Sequence, residues 1–262
     1  MNAAVLSLIA FVSVIVVQAA RRISGRPAAE RISPVVSGLG AVLLFYVLVS
    51  RSVSIGFPAL TNTFEVLLLL SGLLALIVSV YRFLVRDPTS ETVSLWGLAV
   101  ALVLLVLASS PLVPAAAKPP IPALRSHWLL LHVGLSIAGE AFFAVGFVTA
   151  LLELCARDHA RQKRLDRLTY TAIAVGYPLF TAGALLFGAV WAQAAWGRYW
   201  SWDPKETWAL VTWLVYTAYL HLRLIAGRSG KAPAVVAVAA FLVALFTFFG
   251  VNYLLGGLHS YR

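Results

Sequence analysis

Eight apolar stretches, at about 3–20, 35–50, 63–81, 93–109, 127–152, 168–190, 205–222 and 233–255, take up most of this 262-residue chain. A helix needs ~20 mostly apolar residues to cross ~30 Å of hydrocarbon, so each stretch is a candidate membrane span. Only 11% of the residues are charged and 61% are hydrophobic, too little charge to cover a soluble domain of this size. The expected fold is all-α: a polytopic membrane protein of about eight transmembrane helices, with residues 1–262 forming one integral membrane domain.

Charge sets the expected orientation. Met1 to Ala20 carries no charge and Arg21 and Arg22 follow it, the reverse of a cleaved signal peptide. That order predicts an uncleaved first helix with its N-terminus outside. On this assumption 14 of the 20 Lys and Arg residues fall in inner loops and six in outer ones, as the positive-inside rule requires. Both termini are then outside. The net charge of +10 is largely this topology signal, which removes the reason to expect a nucleic-acid partner.

Cys155 is alone, so the chain has neither an intrachain disulfide nor a CxxC redox pair, and it contains no CxxCH. The outer loop at 110–126 holds five prolines, which forbid a helix and favour an extended crossing.

Tryptophan is concentrated. Six of the eight, Trp191, Trp196, Trp200, Trp202, Trp208 and Trp213, lie in one outer loop (191–203) and the helix after it. An interfacial aromatic belt spreads over both membrane faces; this cluster does not, and reads as a platform for a flat ligand. Where the loop ends, Asp203 suits a helix cap, Pro204 the first helical position and Glu206 the reciprocal side of a capping box. Asp203 is therefore either a cap alone or a cap that also serves the site.

Histidine is the second signal. His132 sits shallowly below the outer surface in the fifth span, and His259 follows the eighth span in GGLHSYR. Two outer histidines beside a tryptophan platform suggest bis-imidazole ligation of a heme iron. His127 is a poorer candidate, because five residues turn a helix through ~500° and place it off the His132 face. His221 lies ~25 Å along the seventh span, toward the inner leaflet. It is either an interface or capping residue, or an iron ligand whose counterpart comes from another chain. Glu65 and Glu140 fall inside expected spans, where ionisable groups are functional candidates by default. Glu140 shares the His132 face about two turns deeper, where it either lines a path to the outer site or bonds a neighbouring helix.

WGRYWSWDPKETW resembles the WWD signature of heme-handling membrane proteins, and its DPKETW ending is most similar to the CcsA/ResC family of System II cytochrome c biogenesis. TNTFEVLLLLSG, PLVPAAAKPPIPALRSHWLLLHV, YLHLR and LLGGLHSYR resemble other landmarks of that family, and the most specific motifs lie within 127–262. The resemblance implies that His132 and His259 are axial ligands of an external heme b, and that the loop from Trp191 through Trp196, Trp200 and Trp202 to Asp203 holds it. It implies that His221 is one ligand of a membrane heme shared with a CcsB/ResB-type membrane subunit. The implied activity is heme export and presentation, with covalent attachment to apocytochrome c at CxxCH, as a cytochrome c heme lyase (synthase) subunit. The implied location is the bacterial cytoplasmic membrane or the thylakoid membrane, with the heme site facing the periplasm or outside. A CcmC-like or HemX-like heme-delivery protein without synthase activity is the nearest alternative; six spans typify the former. An electron-carrying cytochrome lacks a second inner histidine here, and a transporter built on Glu65 and Glu140 leaves the tryptophans unexplained.

Overall fold

The computed structural model describes residues 3–24, 32–255 and 257, and every regular element among them is helical. They form two compact units that divide within the proline-rich loop, between Ile121 and Pro122. Apart from a short 3₁₀ turn at Pro122–Leu124, the proline-rich stretch from 114 onward is free of helix, as five prolines demand.

The first unit contains α1 (Ala3–Ser24), α2 (Ser33–Ile55), α3 (Thr63–Leu84) and α4 (Pro88–Ala108). Each helix packs on the next and α4 returns to α1, closing a four-helix ring. Small residues set the spacing: Gly40 lies against Phe11, Gly72 against Phe45 and Gly97 against Val78. Buried hydroxyls add polar ties, such as Ser37 Oγ to Ser79 Oγ at 2.7 Å. The second and fourth helices run longer than the expected spans 35–50 and 93–109, at 23 and 21 residues. Hydropathy falls at their ends, but the helices continue through hydroxyl residues that bond back to their own carbonyls. Ser52 Oγ donates to Leu48 O at 2.7 Å and Thr92 Oγ1 to Pro88 O at 2.8 Å.

The second unit starts with α5 (His127–Cys155) and α6 (His159–Phe180). They touch backbone to backbone. A Cβ on Gly139 would lie 2.9 Å from the Gly176 carbonyl, and one on Gly176 equally close to the Gly139 carbonyl. Pro178 interrupts the hydrogen-bond ladder of α6, and a π-helical segment, Thr181–Phe187, follows before α7 (Gly188–Trp196). Next come α8 (Pro204–Leu224) and α9 (Lys231–Leu245), then a second π-helical segment, Phe246–Gly250, and a last turn, α10 (Val251–Leu254). Tyr216 of α8 stacks on Phe143 of α5 at 3.6 Å, and Thr212 of α8 meets Thr247 of the second π segment at 2.8 Å. At the opposite end of α8, Arg223 grips Asp166 of α6 with two bonds of 2.6 and 3.0 Å.

Among the described residues, six helical rods are long and apolar enough to cross a membrane: 33–55, 63–84, 88–108, 127–155, 159–196 and 231–254. The remaining two expected spans are helices as well. The apolar part of α1, Ala4–Ala20, is shorter than that measure, and α8 carries Lys205, Glu206 and Arg223 within its length.

Candidate functional site

The starts of α5 and α8, the end of α7 and the last turn α10 contribute the residues of interest. His132 is the clearest case. Its Nδ1 lies 2.9 Å from the carbonyl of Gly183, and a carbonyl only accepts, so Nδ1 donates its N–H there and in the neutral ring Nε2 carries the lone pair. That carbonyl is reachable because of the π turn: the Gly188 amide also bonds Gly183 O, five residues on. Gly183 itself presses on the α5 backbone at Ser136, where any side chain would collide. Gly188 faces the imidazole, and a Cβ there would stand 3.1 Å from Nδ1.

Trp191 completes the seat. It is 2% exposed and stacks on His132, with ring centroids 5.7 Å apart and planes 8° apart. Its indole Nε1 donates to the Ala123 carbonyl at 3.1 Å, and Leu124 and Leu129 pack around it. Trp191 thus braces the imidazole and shows almost no ring surface of its own. Trp196 meets Trp191 edge-on at 5.8 Å.

Gly197 ends α7 at φ 75°, a left-handed conformation that favours glycine, and opens the loop. Glu206 then holds the loop down: its Oε2 accepts from Ser201 N at 2.7 Å, Ser201 Oγ at 3.1 Å and Asp203 N at 3.3 Å. Asp203 Oδ1 accepts from Lys205 N at 2.9 Å, so the expected capping box is present. Between these ties Trp202 adopts φ 57°, the one non-glycine residue with positive φ among those described. A bulky side chain in that region costs about 1–3 kcal/mol, strain that concentrates at functional positions. Trp202 is 69% exposed and meets Trp200 edge-on at 5.8 Å. The indole nitrogens of Trp196 and Trp200 are both buried and have no acceptor among the described residues.

The linear tryptophan cluster therefore separates into parts. Trp191 and Trp196 belong with His132, and Trp200 and Trp202 with Asp203. Trp208 and Trp213 are helix-packing residues, the first against Phe246 at 4.4 Å, the second stacked on Tyr177 and bonded to Thr181 Oγ1 at 3.0 Å.

His259 lies outside the described residues. Gly257, two positions earlier, abuts the carboxylate of Asp203 and Pro204 so closely that a side chain there would collide. His127 is the exposed first residue of α5. His221 is in the last turn of α8, with its side chain exposed on the stripe that includes Leu214 and Ala218.

Glu65 is 0% exposed and sits in the first turn of α3, at the end of its span. Its Oε1 pairs with Arg51 at 3.2 Å and its Oε2 accepts from Thr61 N at 2.9 Å, while Arg51 also donates to Ala115 O at 3.0 Å. Its oxygens are spent on local structure. Glu140 is buried in α5, and at the start of α8 Lys205 Nζ donates to Asn252 Oδ1 at 2.9 Å. Lys205, Asn252, Gly183, Gly188 and the triple role of Glu206 were not singled out by pattern. The glycine pair five residues apart in GALLFG was the one available signal for the π turn.

The family model described as cytochrome C assembly protein matches residues 37–259. The cytochrome c biogenesis protein CcsA of Pyropia yezoensis is 32% identical over 88% of this chain and 87% of its own length. That of Porphyra purpurea is 32% identical over 92% and 89%. The CcsA of Chlamydomonas reinhardtii is 47% identical, but the match spans 55% of this chain and 43% of that protein. Among solved structures, the cytochrome c heme lyase CcmF shares the fold, with a TM-score of 0.66 at 18% identity over 94% of this chain and 45% of that one. The imidazole seat, the clamped tryptophan loop and these matches lead to one conclusion: the chain belongs to the CcsA family of cytochrome c biogenesis proteins.

Proposed function

We propose that this chain holds heme b at the α8 N-terminal end, facing outside, and presents it for covalent attachment to the CxxCH of apocytochrome c. It works as a heme lyase subunit together with a CcsB/ResB-type membrane subunit. The observation that carries this reading is His132, whose Nδ1–H is fixed on a backbone carbonyl while its ring is braced by Trp191. Iron-ligating histidines donate their other ring N–H in this way, which sets the tautomer and raises ligand basicity. The residues around it fit such a ligand. Trp196 and Trp200 hold two buried N–H donors with no acceptor among the described residues, suited to the carboxylates of a heme, and Trp202 offers an exposed aromatic face.

Heme supplies the two vinyl groups that take up the cysteine thiols. The chain's own work is placement: His132 and His259 hold the two axial positions, and the Glu206-clamped loop fixes the ring plane. One histidine yields when the substrate histidine arrives. The chain crosses the membrane eight times with both termini outside, supported by the loop charges and by α1 and α8 being full helices. His221, exposed near the inner end of α8, contributes one ligand to a second, membrane-embedded heme whose other ligand the companion subunit supplies.

Co-purification of the chain with its companion subunit, followed by absorption spectroscopy, tests the proposal. Two hemes are expected in the complex and at most the outer one in the isolated chain. A complex that purifies without heme from heme-replete cells overturns it.

A further inference from the structure

We infer that Lys205, bonded to Asn252, is a positioning residue that sets the C-terminal segment leading to His259. This rests on the reading of His259 as the second axial ligand.

Lys205 is the second residue of α8, where a cation opposes the helix dipole and would ordinarily turn to water. It turns inward instead. Its ammonium donates to Asn252 Oδ1 at 2.9 Å and lies 5.9 Å from the centre of the Phe248 ring.

The register of Asn252 points the same way. The π segment Phe246–Gly250 inserts a wider turn before α10. One residue added to an α-helix rotates everything beyond it by ~100°, so the π turn decides which face Asn252 presents. It presents Lys205. Beyond α10, Gly257 is seated against Asp203 and Pro204. The chain leading to His259 is therefore tied to the start of α8 at two points.

The test compares Lys205→Met, Asn252→Leu and His259→Ala in the full chain co-expressed with its companion subunit, by absorption and electron paramagnetic resonance spectra of bound heme. His259→Ala is expected to convert outer heme from six- to five-coordinate, with added imidazole restoring six-coordination. Lys205→Met and Asn252→Leu are expected to give the same conversion and the same rescue with His259 still present. Combining Lys205→Met with His259→Ala should add nothing to His259→Ala alone. If Lys205→Met does not accumulate, Asn252→Leu carries the comparison, because it leaves every charged residue in place. Six-coordinate heme in Asn252→Leu, with five-coordinate heme in His259→Ala, overturns the positioning role while the ligand reading stands. Six-coordinate heme in His259→Ala overturns the ligand reading itself.

Discussion

The imidazole of His132 and the indole of Trp191 lie parallel, 5.7 Å apart at their centroids and 8° apart in plane. Trp191 is at the same time the centre of a small core with Leu124 and Leu129. Its two roles separate on mutation. Trp191→Ala should destabilise the second unit by ~3–5 kcal/mol, as for other buried aromatics, and release the ring of His132. Trp191→Phe keeps the stack and loses the bond to Ala123, at a cost of ~1 kcal/mol. Thermal unfolding in detergent, run beside heme content, checks both; equal loss in the two variants would contradict the bracing role.

A methyl group on Gly188 would stand 3.1 Å from His132 Nδ1, so the imidazole would have to give by a few tenths of an ångström. Gly188→Ala should push the imidazole off the Gly183 carbonyl at a cost of ~1–3 kcal/mol, typical of overpacking, which corresponds to roughly 10- to 100-fold weaker heme retention. Competition with an apo-heme acceptor measures this. Unchanged retention would show that the seat tolerates a shifted ring.

Asp203→Asn should leave stability close to the parent, because Asn caps well, whereas Asp203→Ala should cost ~1 kcal/mol. Complete loss of cytochrome c maturation in both would instead assign the carboxylate a charge-dependent role in the site.

The ion pair of Glu65 with Arg51 predicts a purely structural phenotype. Glu65→Gln or Arg51→Met alone should destabilise by ~3–5 kcal/mol, the range for breaking a buried pair, and the double change to apolar residues should recover much of it. The spectrum of bound heme should not change in any of them. Altered heme ligation in Glu65→Gln would mean that the pair serves the site.

These cases also mark how far the chain was readable from its residues. The capping box of Asp203 and Glu206 was legible, because caps are local and their residue types are few. The long apolar helices were legible for the same reason. Helix ends at Ser33 and Pro88 were not, since hydropathy falls before the helix does when hydroxyls bond back to the ladder. Tryptophan density located the loop but not the facing of each ring: Trp213 points to Thr181, 32 residues away. The Gly183 carbonyl that fixes His132 depends on a π turn, and the glycine pair of GALLFG marks that turn without specifying which carbonyl it frees. The partner of Glu65 lies 14 residues earlier, across a helix end, where spacing is silent.

The central claim is that His132 is an axial ligand of the outer heme, and the coordination state of that heme in His132→Ala tests it most directly. In the purified complex, electron paramagnetic resonance should show the low-spin bis-imidazole signal of the parent replaced by a high-spin signal, with maturation lost. Added imidazole should restore the low-spin signal and part of the activity. A His132→Ala complex that keeps the parent's low-spin signal at full heme content would contradict the account.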